Sequence, residues 1–167
     1  PWSLGVRGRA CGILSDPTRT SSRGLVSART PSRALLIVGS LLVAGLAWAM
    51  SSPVGSSPDE DYHLTSIWCP PPVDDSGCRP GTDAQGVAGV VVPELVAHPQ
   101  CFAGRPTVGA ACQEGMAGHE EISTRVDRGG YPPFFYRFMH LFVGPDVATS
   151  VLVIRAVDLL LAVLLIG

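Results

Sequence analysis

The residues best equipped for chemistry stand together at Pro58-Asp59-Glu60-Asp61-Tyr62-His63. In a helix, Asp59 and His63 lie one turn apart on the same face, with Glu60 beside them. Three carboxylates and an imidazole could hold a divalent cation such as Mg or Mn, and one carboxylate could serve as a general base. Asp59, Glu60 and His63 are therefore the candidate catalytic residues. A plainer reading competes with this one. Ser57-Pro58-Asp59-Glu60 has the form of a capping box, with Ser57 as N-cap, Pro58 at the first helical position and Glu60 reaching back. Acids in a first turn also complement the helix dipole without any catalytic role. Either way a short helix to about Trp68 is expected, and Pro70-Pro71-Pro72 ends it.

Other chemical patterns are fewer. His119-Glu120-Glu121-Ile122-Ser123 opens like a zincin motif, but Ser123 stands where the second histidine is required. No phosphate loop, dinucleotide fingerprint or internal repeat is present. Cys69, Cys78, Cys101 and Cys112 fall in one stretch and Cys11 stands apart. Four cysteines in an oxidising compartment suggest two disulfides, with three possible connectivities. The local pairing, Cys69–Cys78 and Cys101–Cys112, closes the shortest loops and is preferred. A zinc site is the rival, but the spacings are not C-x-x-C. Arg155 and Asp158 sit inside an apolar run, three residues apart and so on one helical face. Charges at membrane depth face a bundle interior, a cavity or each other. An internal Arg155–Asp158 pair is the simplest reading, and a transport pathway is a weaker one.

The elements that must position these groups are set by the uneven apolar content. Residues 34–50 and 147–167 are the apolar runs, and the sequence between is rich in Gly, Pro and acids. That composition suits two spans and a loop better than one soluble core. The first run is short for a span, but it extends through Ser51 and Ser52 with Arg33 snorkelling, and Trp48 suits an interface. A cleaved signal peptide ending at Ala47-Trp48-Ala49 is the alternative, and the long basic region before it argues against cleavage. Arg7, Arg9, Arg19, Arg23, Arg29 and Arg33 precede the run against a single acid, Asp16. Arginines beside a span read as a cytoplasmic signal rather than a nucleic-acid contact. All twelve basic residues are Arg. In the loop, the apolar stretch at residues 87–92 could form a short strand ended by Pro93, and most of residues 73–130 reads as irregular. The stretch Tyr131-Pro132-Pro133-Phe134-Phe135-Tyr136 and on to Phe142 holds six of the chain's eleven aromatics. Phe134, Phe138, Leu141 and Phe142 share a face, and Arg137 and His140 share another, which suits an amphipathic helix in the membrane interface. A helix packed on the loop's own core is the alternative. Gly144-Pro145-Asp146 then forms a turn and cap.

The expected architecture is an all-α integral membrane protein. Residues 1–33 form a disordered Arg-rich cytoplasmic tail, 34–52 a first transmembrane helix and 53–130 an extracytoplasmic disulfide-bearing loop. Residues 131–143 form an interfacial amphipathic helix and 147–167 a second transmembrane helix. The chain starts without Met and stops inside an apolar run, as a fragment of a longer protein does.

Two motifs carry a family resemblance: Pro58-Asp59-Glu60 with His63 after the first span, and Tyr131-Pro132-Pro133-Phe134-Phe135-Tyr136 before the second, followed by Val143-Gly144-Pro145 and Arg155. Over about residues 34–167 the chain resembles the N-terminal part of a domain-of-unknown-function family of large bacterial polytopic membrane proteins. That family is similar to the C-type glycosyltransferases, in which an acid in the first outside loop serves the reaction and the sugar comes from a polyprenyl-phosphate donor. The resemblance implies Asp59 as the acid, Glu60 and His63 as its support, and Tyr131 and Arg137 as substrate-binding residues. It places the protein in a bacterial plasma membrane, in contact with the lipid bilayer and a polyprenyl-phosphate sugar, in cell-envelope assembly. The alternative is a non-enzymatic, membrane-anchored, disulfide-stapled binding or assembly module.

The arginine asymmetry predicts residues 51–146 outside and the N-terminal tail inside. In a cysteine-free background, an impermeant thiol reagent applied to intact cells should label Gln85→Cys and spare Ser22→Cys. Labelling of the tail alone reverses the orientation.

Overall fold

The uncharged run forms α1 (Pro31–Ser51), which starts at a proline, the residue best tolerated in a first turn. A second apolar helix, α5 (Val147–Ile166), follows the Gly144-Pro145-Asp146 turn. Asp146 caps it, its Oδ1 accepting from the Thr149 amide at 2.7 Å. Residues 31–166 are described by a computed structural model. Residues 1–30, with Cys11, lie outside the described residues. Arg33–Ser51 and Val147–Ile166, of 19 and 20 residues, are long and apolar enough to cross a membrane. The polar hydroxyl of Ser40 is satisfied within its own helix by the Leu36 carbonyl at 2.8 Å. The two helices meet where Gly45 faces Leu159, and a methyl group at Gly45 would overlap the Leu159 side chain. A small residue there permits the close approach.

The segment between them is a folded unit, not the largely irregular loop expected. Helix α2 (Glu60–Trp68) begins two residues later than a Ser57 cap implies. Asp59 takes the N-cap position in the left-handed region, at φ 56 and with no side-chain cap. Glu60 does reach back, however, and its Oε2 accepts from the amides of Ser57 at 3.2 Å and Gly55 at 3.0 Å. A three-stranded antiparallel sheet, ordered β1 (Pro80–Thr82), β2 (Ala88–Pro93) and β3 (Glu120–Ser123), corrects the all-α expectation. Its signal is the alternation around Val90 and Val92, whose side chains are buried while Val91 is only half so. β2 pairs with both neighbours, Val90 opposite Ser123 and Gly89 opposite Gly81. A hairpin turn joins β1 to β2, with Asp83 Oδ1 accepting from the amides of Gln85 and Val87. The short α3 (Glu94–Ala97) follows the sheet and buries Val96.

Two disulfides, Cys69–Cys78 and Cys101–Cys112, close loops of 9 and 11 residues. Gln113, next to the second, donates to the carbonyls of Val54 at 2.6 Å and Pro99 at 2.7 Å, tying that hairpin to the end of α1. The aromatic stretch forms α4 (Pro133–His140), shorter than residues 131–143 because the prolines open it and Leu141–Val143 close in turns. Tyr136 and Met139 are wholly buried against the core, while Phe134 and Leu141 stay 79% and 74% exposed. The helix thus packs one side on the loop and leaves an aromatic side open, where Phe134 and Phe138 stack at 6.3 Å. The core joins Leu64, Ile67 and Trp68 of α2 to Val90, Val92, Tyr136 and Met139, and continues into Val151 and Ile154 of α5. The first turns of α5 are therefore part of the loop's own core.

One ion pair fastens this unit to the long helices. Arg155 does not pair with Asp158. It pairs with Glu60 of α2 at 2.7 Å, both side chains 11% exposed. The same guanidinium donates to the carbonyls of Ser52 at 2.7 Å, Pro53 at 2.9 Å and Ala49 at 3.3 Å, and lies 5.5 Å above the Trp48 ring. The pattern i, i+3 brought Asp158 close along the helix, but the fold of residues 49–60 supplies Arg155 with more acceptors than one carboxylate can. Arg155→Leu takes the counter-charge from Glu60 and the guanidinium donor from these carbonyls, so a loss of about 3–5 kcal/mol is expected. Arg79→Gln, which breaks an exposed pair with Glu120, should cost no more than about 1 kcal/mol. Thermal unfolding of the purified protein in detergent compares the two. Equal effects contradict the fastening role.

Candidate functional site

Helix α2 directs its polar residues to three different places. Asp59 and Asp61 turn to Arg125, at 2.5 Å from its NH2 and 2.7 Å from its Nε. Glu60 turns to Arg155. His63 turns to α4, its Nδ1 lying 3.0 Å from the Tyr136 hydroxyl. The four side chains therefore do not converge, and among the described residues no group of three His, Cys, Asp or Glu side chains is arranged to hold a metal ion. The acid cluster does not fit Mg or Mn. Asp59 and His63 share a helical turn, the His63 amide bonding to the Asp59 carbonyl at 3.1 Å, but their side chains diverge.

A cleft opens where α1, α2, α4 and α5 meet. Its volume is about 510 Å³, and its polar lining comprises Ser57 and the ionisable Glu60, His63, Arg155 and Asp158. Trp48, Leu64, Phe135 and Leu159 are among its apolar walls. Asp59 does not line it, although its neighbours Pro58 and Glu60 do. Tyr131 lies close by, its half-exposed ring 5.5 Å from the His63 imidazole. Arg137 does not join them. Its Nε donates to the Pro71 carbonyl at 3.3 Å.

The arrangement rests on a residue that the pattern of acids did not single out. Asp127 is buried, and its Oδ1 accepts from the Tyr62 hydroxyl at 3.0 Å and the amides of Gly129 and Gly130 at 3.1 and 2.7 Å. Its Oδ2 accepts from the Tyr131 amide at 3.1 Å, and its own amide donates to Ser66 at 2.9 Å. Asp127 thereby bends the chain into α4 and holds Tyr131 beside His63. The sequence signal was an Asp two residues before Gly129-Gly130, a turn pattern. Burial pushes its carboxyl up, but the Gly130 and Tyr131 amides, the Tyr62 hydroxyl and the Gly129 amide together hold it below the ordinary Asp value. Burial, and then the charge of Asp127, push the Tyr136 phenol up to about 12. At neutral pH Tyr136 therefore stays an un-ionised partner for His63.

A family model described as "Predicted membrane protein (DUF2142)" matches residues 42–167. No curated protein and no solved structure matches the chain.

Because Asp127 holds its proton less readily in the folded chain, its contribution is complete above the ordinary value of 3.8 and is lost as pH falls through the lower folded value. Asp127→Ala removes several charged hydrogen bonds at a buried site and should cost about 3 kcal/mol or more at pH 7. Chemical denaturation from pH 7 to pH 3 should find the difference between the two proteins narrowing only at the acid end. A constant difference across that range refutes the ionised role.

Proposed function

We propose that this chain, which belongs to the DUF2142 family of predicted membrane proteins, is the N-terminal part of a polytopic membrane glycosyltransferase of cell-envelope assembly that takes sugar from a polyprenyl-phosphate donor. The observation that supports this reading is the cleft. It joins apolar walls, on helices long enough to cross a membrane, to ionisable groups on a folded loop, which is how a site for a lipid-linked reactant must be built. In this reading residues 51–146 face outward in a bacterial plasma membrane.

Asp59 is the base in this mechanism. Its side chain is 68% exposed and its partner Arg125 is 53% exposed, so the pair exchanges for solvent or substrate at little cost. Asp59 takes the proton of the acceptor hydroxyl, and the acceptor oxygen forms a bond to the anomeric carbon. The bond from that carbon to phosphate oxygen breaks, and polyprenyl phosphate leaves with the electron pair. Glu60 supports the step by anchoring α2 to Arg155, His63 and Tyr131 border the reacting groups, and Arg137 stands at the interface for the donor phosphate. No metal step is needed.

A second reading is favoured by a specific observation: Asp59, Glu60 and Asp61 are each paired with an arginine, as structural acids are. On that reading the unit is a stapled binding or assembly module. Asp59→Asn in the full-length protein separates the two. Transfer of glycan in membranes should fall by about 10²–10⁴-fold at normal expression, whereas Arg125→Gln, which frees Asp59, should retain most of it. Normal transfer by Asp59→Asn leaves the module reading in place.

A further inference from the structure

The charges of the cleft are not all spent. Glu60 and Arg155 neutralise each other, and every nitrogen of the Arg155 guanidinium already has an acceptor. Among the described residues, no arginine on the cleft wall is left to receive a phosphate. Asp158 also lines the cleft, and among the described residues it has neither an ion-pair nor a hydrogen-bond partner. It adds an unpaired carboxyl group and no cation to the cleft, which leaves an anionic head without a counter-charge there. His63 is fixed by the Tyr136 hydroxyl through Nδ1, and its Nε2 has no partner among the described residues. A carboxylate that can only accept and an imidazole nitrogen that can donate are complementary to a hydroxyl, which does both.

We propose that the cleft binds an amphiphile with a neutral, hydroxylated head and an alkyl or isoprenoid tail. A head hydroxyl donates to the Asp158 carboxylate and accepts from His63. The tail lies along Gly45, Leu159 and Ala162, toward the membrane-spanning part of the helices. This deepens the transfer reading and rests on it only in taking the ligand as the acceptor, with the phosphorylated donor held elsewhere.

Binding can be read without any transfer assay. Full-length protein in lipid nanodiscs is irradiated with a dodecyl glucoside carrying a diazirine in its tail, and the labelled peptides are mapped by mass spectrometry. Label is expected on cleft-lining positions of α1 and α5. Unlabelled dodecyl glucoside should compete about 10-fold or more better than dodecyl phosphate. Asp158→Asn should weaken that competition about 10-fold or more, as expected for the loss of a hydrogen bond to a charged group. Ala162→Phe, which blocks the tail path and leaves every charge in place, should abolish the label even if Asp158→Asn does not fold. Equal or better competition by dodecyl phosphate overturns the proposal. So does unchanged binding by a folded Asp158→Asn, or an unlabelled cleft filled by a later segment of the same protein. Binding that holds while Asp59→Asn transfers normally removes Asp59 as the base and leaves this site standing.

Discussion

The fold turns on the contact between the Arg155 guanidinium and residues 49–60. A charge placed well inside an apolar helix is costly unless acceptors are brought to it. Here they come from the end of α1, from the turn after it and from Glu60 at the head of α2. Such a pair adds little net stability over apolar residues of the same shape, but breaking it is expensive. Its value lies in register. Only one placement of α5 against α1 and α2 satisfies all the donors. That placement sets Leu159 against Gly45 and carries Val151 and Ile154 into the loop's core.

From this contact the remaining acids divide by environment. Asp59 and Asp61 share Arg125, and water screens the pairing of the exposed Asp59, while Asp61 is only 15% exposed. Asp127 is buried and satisfied by backbone amides, so it acts as a fixed corner for the Gly129–Tyr131 bend. Asp158 alone combines an apolar setting with a free carboxylate among the described residues. Residues of one type thus stand as an exposed paired group, a structural corner and an unpaired cleft group, and local acceptors and donors decide which.

Much of the scaffold was legible because it follows from short-range rules. The two apolar helices follow from length and absence of charge, the disulfides from loop closure, and the Glu60 reach-back from capping geometry. The sheet was hidden because β1 and β3 have three and four residues and little apolar content, so only Val90 and Val92 of β2 signalled it. The partner of Arg155 was hidden for a different reason. Helical spacing named Asp158, while the true partner lies 95 residues away and depends on the folded turn. Asp127 shows the same limit. Its five hydrogen bonds join α2 to the approach of α4, and only the tertiary arrangement makes an ordinary loop acid a central one. The site inherits this, since helical periodicity grouped Asp59 with His63 and long-range pairing separated them.

The distance in sequence between Glu60 and Arg155 also bears on the order of biosynthesis. Ninety-five residues separate them, which a ribosome making about 5–20 residues per second covers in roughly 5–20 s. Throughout that interval the carbonyls of Ala49, Ser52 and Pro53 lack the guanidinium and the Glu60 carboxylate lacks its counter-charge, and α2 lacks the Val151 and Ile154 side chains that complete its core. Helix α5, for its part, carries two ionisable residues, Arg155 and Asp158, of a kind that costs about 3 kcal/mol each when charged at the centre of an inserted helix. Neither half is comfortable alone, and each holds what the other lacks. Completion of the loop's core and satisfaction of the Arg155 guanidinium are therefore a single coupled event, since both wait on the same helix.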